Sequence, residues 1–599
     1  MKKIIILLIC SYTLNFLNAQ NMQEIILETP IIDSTKIDST LFFIGISREY
    51  KIDCLDSIYS YVSNGIWHKK IHIQSTDAKI IKVVFEKLSL SQNAEVVMFS
   101  DKNNYEYNVN NLYNNGKSYI SDFFIGDNCI IEINIPINEL NKNNIVISKI
   151  KHFTKNTFPS SEKSSNSNYD CMIDVNCSEG NEWCNQKRSV AIYYFEQDNA
   201  NYLCTGVLVN NYRNNFAQYF LTARHCTNGN IDWANTEFYF NYQNSNCNSD
   251  DGFTYPYFRV QGSQIIGYCD VSWSDNALLL ITQPIPIQYN VYFSGVDTRD
   301  RDMGDDVTCI HHSDGLPKKI TSGEITFHAG AKWDIYWDNG IIMGGGSGAP
   351  IFYNPNKRII GTISGGPNYN CNSNLKHDWA GKLRSCMNYS DGMRNALFGD
   401  SGLSTVEGID RNQSCQDNLS LSGNFYSAED YDNSLNELTI QAANQITITN
   451  ATFKPGSNYT ISAGTKIVIG RGTKIQSNFH AKISDCSTNL LLCENDAKSI
   501  IIANHTNRSS EQSDNIEDIQ SQPLNNIKIY PNPNNGSFYI DVFDNSEIKN
   551  VIIYDLSGRK VLEKTGNINK MSIPNVQKGM YFVEIQLESN TVFEKIIIE

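Results

Sequence analysis

Three residues of the types that cooperate in nucleophilic catalysis stand in distinctive settings along the chain. His225 occurs in LTARHC, after an apolar strand end and directly before Cys226. Ser347 occurs in MGGGSGAPIF, where glycines allow a sharp turn that aims the N–H groups of Gly345 and Ser347 at one point, as an oxyanion requires. Asp275 precedes the apolar run NALLLI, which predicts a buried carboxylate in need of a histidine partner. Together these residues predict acyl transfer by an activated serine.

Each residue alone has a plainer interpretation. A lone histidine more often has a structural place in the core or on the surface than a catalytic role. A glycine-rich turn can contain a serine that has no function. Asp275 by itself fits an exposed turn. The chain order is His, Asp, Ser, with separations of 50 and 72 residues. This is the order of chymotrypsin-like proteases and differs from that of subtilisins and α/β-hydrolases. The order and the settings together predict a serine endopeptidase with His225, Asp275 and Ser347 as its catalytic residues.

Strands must position these side chains. From Cys171 to about Asp410, short apolar segments are separated by Gly, Asn and Asp turns, with little helical periodicity, which predicts a β-barrel or sandwich. The preceding region alternates apolar and polar residues, as half-buried strands do, and ends in the polar junction FPSSEKSSNSNYD, which we expect to be flexible and protease-sensitive. Short β-branched segments recur after Ser414 and predict stacked β-repeats.

The length of 599 residues requires several domains, and the sequence predicts an all-β multidomain chain. The first residues combine two lysines, a short apolar run and Ala19, which is typical of a secretory signal peptide. Polar residues interrupt that run too early for a membrane anchor, and we expect no transmembrane segment in the mature chain. The predicted units are a signal peptide (1–19), a β-rich region (20–163), a protease domain (164–410), β-repeats (411–493), a linker (494–522) and a small C-terminal β-sandwich (523–599).

The net charge and the cysteines indicate which partners, metals and cellular compartments fit the chain. The net charge is −15 and no basic block stands out, which argues against nucleic acid as a partner. Sixteen cysteines favour disulfides in an oxidising compartment. No C-x2-C pair with nearby histidines occurs, so we expect neither a metal site nor a cofactor. The expected partners are protein or peptide substrates.

Several motifs between Cys171 and Met387 resemble, in order, landmarks of the bacterial lysyl endopeptidase family: CMIDVNCSEG, TGVLVNN, YFLTARHC, NYQNSNC, IHHSDG, SGAPIF and RIIGTISGGP. The resemblance implies a chymotrypsin-like double β-barrel and, for the region before it, a propeptide. It also implies three disulfides, namely Cys171–Cys371, Cys177–Cys247 and Cys204–Cys226. The pairing of four further cysteines is left open, those at Cys184, Cys269, Cys309 and Cys386.

The same resemblance implies a preference for cleavage after lysine, because HDWAGKL places Asp378 where that family has the aspartate of its specificity pocket. A carboxylate there pairs well with an ammonium or guanidinium group. Ser364, Gly365 and Gly366 follow the strand RIIGTI and are predicted to offer main-chain groups to an extended substrate, although an ordinary turn fits them equally well. Ser364 replaces the family's histidine, and the tryptophan that stacks on it has no counterpart near Phe327. The resemblance favours cleavage after lysine over cleavage after arginine, and these two departures leave arginine open.

The C-terminal motifs IYPNPNNGSF, VIIYDLSGRK and KGMYFVEI resemble the type A sorting domain of the type IX secretion system. This implies the type IX machinery as a partner and a location outside the cell or on its outer surface. Self-cleavage near Lys163 would fit a lysine preference. The alternative function is a surface adhesin with an inactive protease-like domain, and an esterase with the same three residues is a further alternative.

Overall fold

In the computed structural model, segments that alternate apolar and polar residues form β-strands along most of the described chain. The all-β prediction is confirmed. The described residues are 22–100, 103–109, 118–155, 170–249, 258–286, 289–367, 371–373, 376–410, 416–425, 437–455, 458–476, 478–484, 505–507, 527–530, 536–542, 547–555, 560–566, 570–573, 579–587 and 591–598. The predicted signal peptide and Lys163 lie outside them. In the described ranges, no helix is both long and apolar enough to cross a membrane.

The N-terminal domain, residues 22–155, consists of two packed sheets. Its strands are β1 (Met22–Leu27), β2 (Phe42–Asp53), β3 (Ser60–Ser63), β4 (Ile66–Ser75), β5 (Ile80–Ser89), β6 (Glu95–Ser100), β7 (Asn103–Asn108), β8 (Tyr119–Ile120), β9 (Phe124–Ile125), β10 (Asn128–Pro136) and β11 (Asn144–Phe153). One sheet has the order β1-β4-β10-β6-β7, and β2, β11 and β5 lie side by side in the other. Inward-facing side chains such as Ile71, Ile131 and Ile147 form the shared core.

The first barrel of residues 164–410 has the strand order β17-β16-β13-β14-β15-β19-β18. Its elements and those that flank them are β12 (Ile173–Asp174), α1 (Cys184–Ser189), β13 (Val190–Gln197), β14 (Ala200–Leu208), β15 (Tyr219–Ala223), β16 (Glu237–Phe240), β17 (Phe258–Gln261), β18 (Ser263–Tyr268), β19 (Asn276–Ile281) and β20 (Tyr292–Phe293). Gly262, with a φ of 88°, makes the bend between β17 and β18 that closes the barrel. Aromatic rings, including those of Tyr193, Phe220 and Phe238, fill it.

The second barrel closes on itself in the order β25-β22-β23-β24-β27-β26, with β26 pairing back to β25. Its elements and their neighbours are β21 (Val296–Asp297), β22 (Asp306–His311), β23 (Lys319–Ala329), β24 (Lys332–Asn339), β25 (Pro350–Tyr353), β26 (Arg358–Gly365), β27 (His377–Lys382), α2 (Leu383–Met387), α3 (Asp391–Leu397), β28 (Thr405–Val406) and β29 (Ile409–Asp410). Trp333, Trp337 and Ile351 are among its core residues.

The three disulfides that the resemblance implies, Cys171–Cys371, Cys177–Cys247 and Cys204–Cys226, are present. A fourth joins Cys269 to Cys386 and ties the loop before Asp275 to α2. Cys184 is also disulfide-bonded, whereas Cys309 is a buried free thiol.

The repeat region forms parallel strands, as stacked β-repeats do. Its strands are β30 (Gln416–Phe425), β31 (Glu437–Phe453), β32 (Asn458–Ala463), β33 (Lys466–Ile469), β34 (Lys474–Ile475) and β35 (Asn478–Ile483). Side chains such as Ile446, Ile448 and Ile461 form a core that is continuous with that of the first barrel. Within the predicted linker, the described residues form β36 (His505–Asn507), which pairs with β7.

The C-terminal unit begins at Ser509 and contains one sheet of three strands and one of four. Its strands are β37 (Ile527–Tyr530), β38 (Ser537–Val542), β39 (Ile548–Asp555), β40 (Lys560–Thr565), β41 (Lys570–Ser572), β42 (Gly579–Leu587) and β43 (Thr591–Ile598). Buried residues from both sheets, including Phe538, Val551 and Val583, make one core.

Candidate active site

His225 and Asp275 are held together by two hydrogen bonds. The backbone N–H of His225 donates to Asp275 Oδ1 at 2.9 Å, and His225 Nδ1 lies 2.8 Å from Asp275 Oδ2. His225 begins a short 3₁₀ turn after β15, and the Cys204–Cys226 disulfide attaches that turn to β14. Because Nδ1 faces the carboxylate, the tautomer with the proton on Nδ1 is favoured and Nε2 is left as the acceptor.

Asp275 is fully buried and makes a third contact, from Ser364. The hydroxyl of Ser364 donates to Asp275 Oδ2 at 2.6 Å, and Lys332 Nζ donates to Ser364 Oγ at 2.9 Å and to the Val271 carbonyl at 3.1 Å. The sequence predicts that Ser364 offers main-chain groups to the substrate. The hydrogen bond from its side chain to Asp275 was not predicted. Sequence reasoning missed Lys332, because a lysine at the start of a strand carries no signal of its own.

The loop that carries Ser347 is anchored to β14. Thr205 N donates to the Ser347 carbonyl at 2.9 Å, and Thr205 Oγ1 donates to the Gly345 carbonyl at 2.9 Å. Gly348 lies so close to the Ala223 backbone that a methyl group at position 348 would be 2.7 Å from Ala223 N. Ser347 is therefore brought next to the strand end that carries His225, and its side chain is half-buried.

Gly345 and Ser347, the two residues predicted to stabilise an oxyanion, lie in this loop. Gly345 has a φ of 87°, a conformation that favours glycine. Within the described residues, no backbone hydrogen bond uses the N–H of Gly345 or of Ser347. Both donors are thus available to a bound oxygen, which is what oxyanion stabilisation requires.

A second loop supports the glycine-rich one. Met343 N donates to Ser313 Oγ at 2.8 Å, and Asp314 N donates to the Gly344 carbonyl at 2.5 Å. His312 N donates to Thr205 Oγ1 at 3.1 Å, so the same threonine connects both loops. His312, Ser313 and Asp314 belong to the motif IHHSDG, for which no role was predicted from the sequence.

Asp378 lies in β27 with 3% of its surface exposed, and Trp337 Nε1 donates to its Oδ2 at 2.6 Å. Burial raises the pKa of this carboxyl to about 7, although the Trp337 hydrogen bond opposes the rise. Gly366 lies directly over Asp378 Oδ1, where a methyl group at position 366 would collide with that oxygen. The structure thus brings Asp378 beneath the Gly365-Gly366 segment. The Trp337 contact joins residues 41 positions apart and was not predicted from the sequence.

The protease region and the C-terminal region each match a known family. Residues 165–381 match the model of the lysyl endopeptidase C-terminal domain, and residues 528–599 match that of the secretion system C-terminal sorting domain. Both resemblances stated from the motifs are therefore confirmed. The sorting domain indicates secretion to the cell surface or the extracellular space.

Individual relatives are distant. A lysyl endopeptidase of Pseudomonas aeruginosa is 23% identical over an alignment of 273 residues. The match covers 42% of this chain, and the chain spans 58% of the length of that curated relative. The thermostable serine protease AL20 from an extremophilic microorganism is 13% identical, with a TM-score of 0.26 over 33% of this chain and 92% of that one. The protease Anisep from Arthrobacter nicotinovorans is 18% identical, with a TM-score of 0.26 over 34% of this chain and 94% of that one.

Proposed function

We propose that the chain is a secreted serine endopeptidase that cleaves peptide bonds after basic residues, with lysine favoured over arginine. The observation that carries the proposal is the two-point contact between His225 and Asp275 beside the anchored loop of Ser347. A buried carboxylate that orients an imidazole next to a serine, with free backbone donors nearby, is the arrangement that acyl transfer requires.

In the proposed mechanism, His225 Nε2 takes the proton of the Ser347 hydroxyl while its oxygen attacks the substrate carbonyl. The N–H groups of Gly345 and Ser347 bind the resulting oxyanion. Asp275 stabilises the imidazolium, which then gives its proton to the leaving amine as the C–N bond breaks and the acyl-enzyme forms. Water, deprotonated by His225, attacks the acyl group and releases the acid and Ser347.

Asp378 supplies the proposed preference for a cation. Its carboxylate lies beneath Gly366, in the segment proposed to bind the substrate backbone, and the side chain that precedes the cleaved bond would approach it there. An ammonium group beside this buried carboxylate would be attracted more strongly than in water because the local dielectric is low, and its N–H groups could donate charge-assisted hydrogen bonds to the carboxylate. Ser364, Gly365 and Gly366 would pair with the substrate backbone as a short strand.

The N-terminal domain is proposed as a propeptide, and the type IX secretion machinery as the partner of the C-terminal sorting domain. The alternating strands of residues 22–155 form a domain with its own core, ahead of the connecting residues that contain Lys163. Cleavage near Lys163 by the enzyme itself agrees with the proposed preference.

The test is a digest of a denatured protein mixture by the mature enzyme and by its Ser347→Ala variant, with every new terminus identified by mass spectrometry. We expect new termini after lysine, fewer after arginine, and none with the variant. Equal cutting after arginine would contradict the lysine preference while retaining the mechanism. No cutting by either protein would favour the adhesin alternative.

A further inference from the structure

Four neighbouring strands of the second barrel carry a row of residues that ends at the proposed substrate segment. Phe327 of β23 lies opposite Asp334 of β24, which lies opposite Trp379 of β27. Trp379 in turn lies opposite Gly365 of β26. Ile335, the next residue after Asp334, belongs to the barrel core, and side chains alternate between the two faces of a strand. The row therefore lies on the outer face of the barrel.

The indole of Trp379 is exposed, and its orientation is fixed. Trp379 keeps 41% of its surface exposed. The ring of His377 meets the indole edge to face, with the centroids 6.2 Å apart and the planes at 82°, and His377 Nδ1 lies 3.0 Å from Asp334 Oδ1. The carboxylate holds the imidazole, and the imidazole limits the rotation of the indole. An aromatic surface that is already oriented loses little entropy when a ligand binds to it.

Gly365 leaves an open space next to Trp379. Its φ is 148°, and within the described part of the chain no atom lies within 4 Å of the place where its Cβ would be. Directly opposite residues of an antiparallel pair have their Cβ atoms about 5 Å apart, so a side chain at position 365 would lie against the indole. Since glycine has no side chain, a side chain from another polypeptide can take this place.

A substrate strand would direct alternate side chains into this space. In the proposed function the substrate backbone pairs with Ser364–Gly366, and its lysine reaches Asp378, which lies on the inner face of β27 opposite the core residue Ile335. Because successive side chains of a strand point to opposite faces, the residue immediately before the lysine points to the outer face, toward Trp379. The residue two positions farther upstream points the same way, and the residue between them points away.

A second exposed tryptophan flanks this surface from the first barrel. Trp273 is 50% exposed in the turn between β18 and β19. That turn lies against the outer face of β27, because a methyl group at Gly381, two residues after Trp379, would collide with the Ser274 carbonyl oxygen. Lys332 lies opposite Gly381 on the same face, and its positive charge disfavours a second basic side chain there. Two large exposed apolar side chains beside the cleft therefore suit an apolar ligand group.

We propose that Trp379, flanked by Trp273, forms an aromatic subsite that selects large apolar or aromatic side chains immediately before the substrate lysine and two positions farther upstream. This inference rests on the proposed function, because the lysine bound at Asp378 sets the register of the substrate. An apolar side chain on the indole removes both surfaces from water, and an aromatic one also stacks. The enzyme thus recognises a cation on one face of the substrate strand and apolar groups on the other.

The test compares peptides that contain one lysine and carry either phenylalanine or serine at one of the three positions before it. With the enzyme secreted by cells that express the full chain, we expect kcat/KM to be at least fivefold higher for phenylalanine than for serine immediately before the lysine. Phenylalanine two positions farther upstream should also raise it, whereas at the position between them the two peptides should differ less than twofold. A ratio below twofold immediately before the lysine, or a larger ratio at the position between, would overturn the inference.

Variants test whether the indole is responsible for the preference. In Trp379→Ala, the ratio of kcat/KM between the phenylalanine and serine peptides should fall below twofold, whereas Trp379→Tyr should keep most of it. Tyr389→Ala removes an exposed ring that follows α2 and is the matched control, in which the ratio should be that of the wild type. An unchanged ratio in Trp379→Ala would contradict the assignment of this subsite.

A binding measurement separates this inference from the proposed function. The Ser347→Ala variant should bind the peptide with phenylalanine before the lysine at least threefold more tightly than the serine peptide, as measured by calorimetry, and Trp379→Ala with Ser347→Ala should bind the two equally. Equal affinities in Ser347→Ala itself would count against the subsite. Failure of the secreted enzyme to cleave any of the peptides would instead count against the proposed function.

Discussion

The carboxylate of Asp275 binds His225 at two points, its backbone N–H through Oδ1 and its ring through Oδ2. The main-chain contact holds the residue in place, and the ring contact sets the tautomer. We predict that Asp275→Asn lowers kcat/KM for a lysyl amide by about 10⁴-fold, because an amide in this place favours the wrong tautomer. Steady-state kinetics measure the effect, with circular dichroism as the control for folding. A loss of less than tenfold would show that Asp275 does not orient the imidazole.

The hydrogen-bond chain from Lys332 through Ser364 to Asp275 gives a second prediction. Without the Lys332 ammonium group, no donor fixes the orientation of the Ser364 hydroxyl. The hydroxyl then holds the Asp275 carboxylate less firmly. Lys332→Met should lower kcat about tenfold and change KM little, since the lysine acts through another residue. Lys332→Arg, which keeps a donor, should recover most of the rate. A change confined to KM would indicate that Lys332 contacts substrate.

The raised pKa of Asp378, about 7, predicts pH-dependent recognition of lysine. An acid with a raised pKa is neutral below that value, so the pocket gains its negative charge as the pH rises. The affinity of the Ser347→Ala variant for a lysyl peptide should therefore increase between pH 6 and pH 8, as measured by calorimetry. The lysine of the peptide keeps its charge over this range. In Asp378→Asn with Ser347→Ala, the affinity should be low and independent of pH, and the same slope in both proteins would contradict the assignment.

Close contact between Gly366 and Asp378 Oδ1 leaves no room for a side chain. Gly366→Ala should reduce kcat/KM for lysyl substrates at least 100-fold, because the methyl group must displace either the carboxylate or the strand. Gly330→Ala is the control for backbone strain without a steric clash, since position 330 has a φ of 60° and nothing within 4 Å of an added methyl group. Comparable losses in the two variants would mean that the effect is one of general stability.

The local settings of the proposed catalytic residues could be read from the sequence, because each depends on a few neighbouring residues: an apolar strand end before His225 and glycines around Ser347. The disulfides Cys171–Cys371, Cys177–Cys247 and Cys204–Cys226 could be predicted from the resemblance to the lysyl endopeptidase family. Contacts between distant segments could not be predicted in this way. Trp337 reaches Asp378 only because β24 and β27 pair, and the Cys269–Cys386 disulfide spans 117 residues among several open cysteines. The pairing of β2 with β14 likewise depends on two domains folding together.

The role of Ser347 as the nucleophile is tested by labelling the mature enzyme with a fluorophosphonate, followed by intact-mass measurement and peptide mapping. We expect one adduct per chain, located on Ser347, and none in Ser347→Ala. His225→Ala should react far more slowly, because the general base is gone. An adduct on another serine, or equal labelling of wild type and Ser347→Ala, would contradict the assignment of Ser347 as the nucleophile.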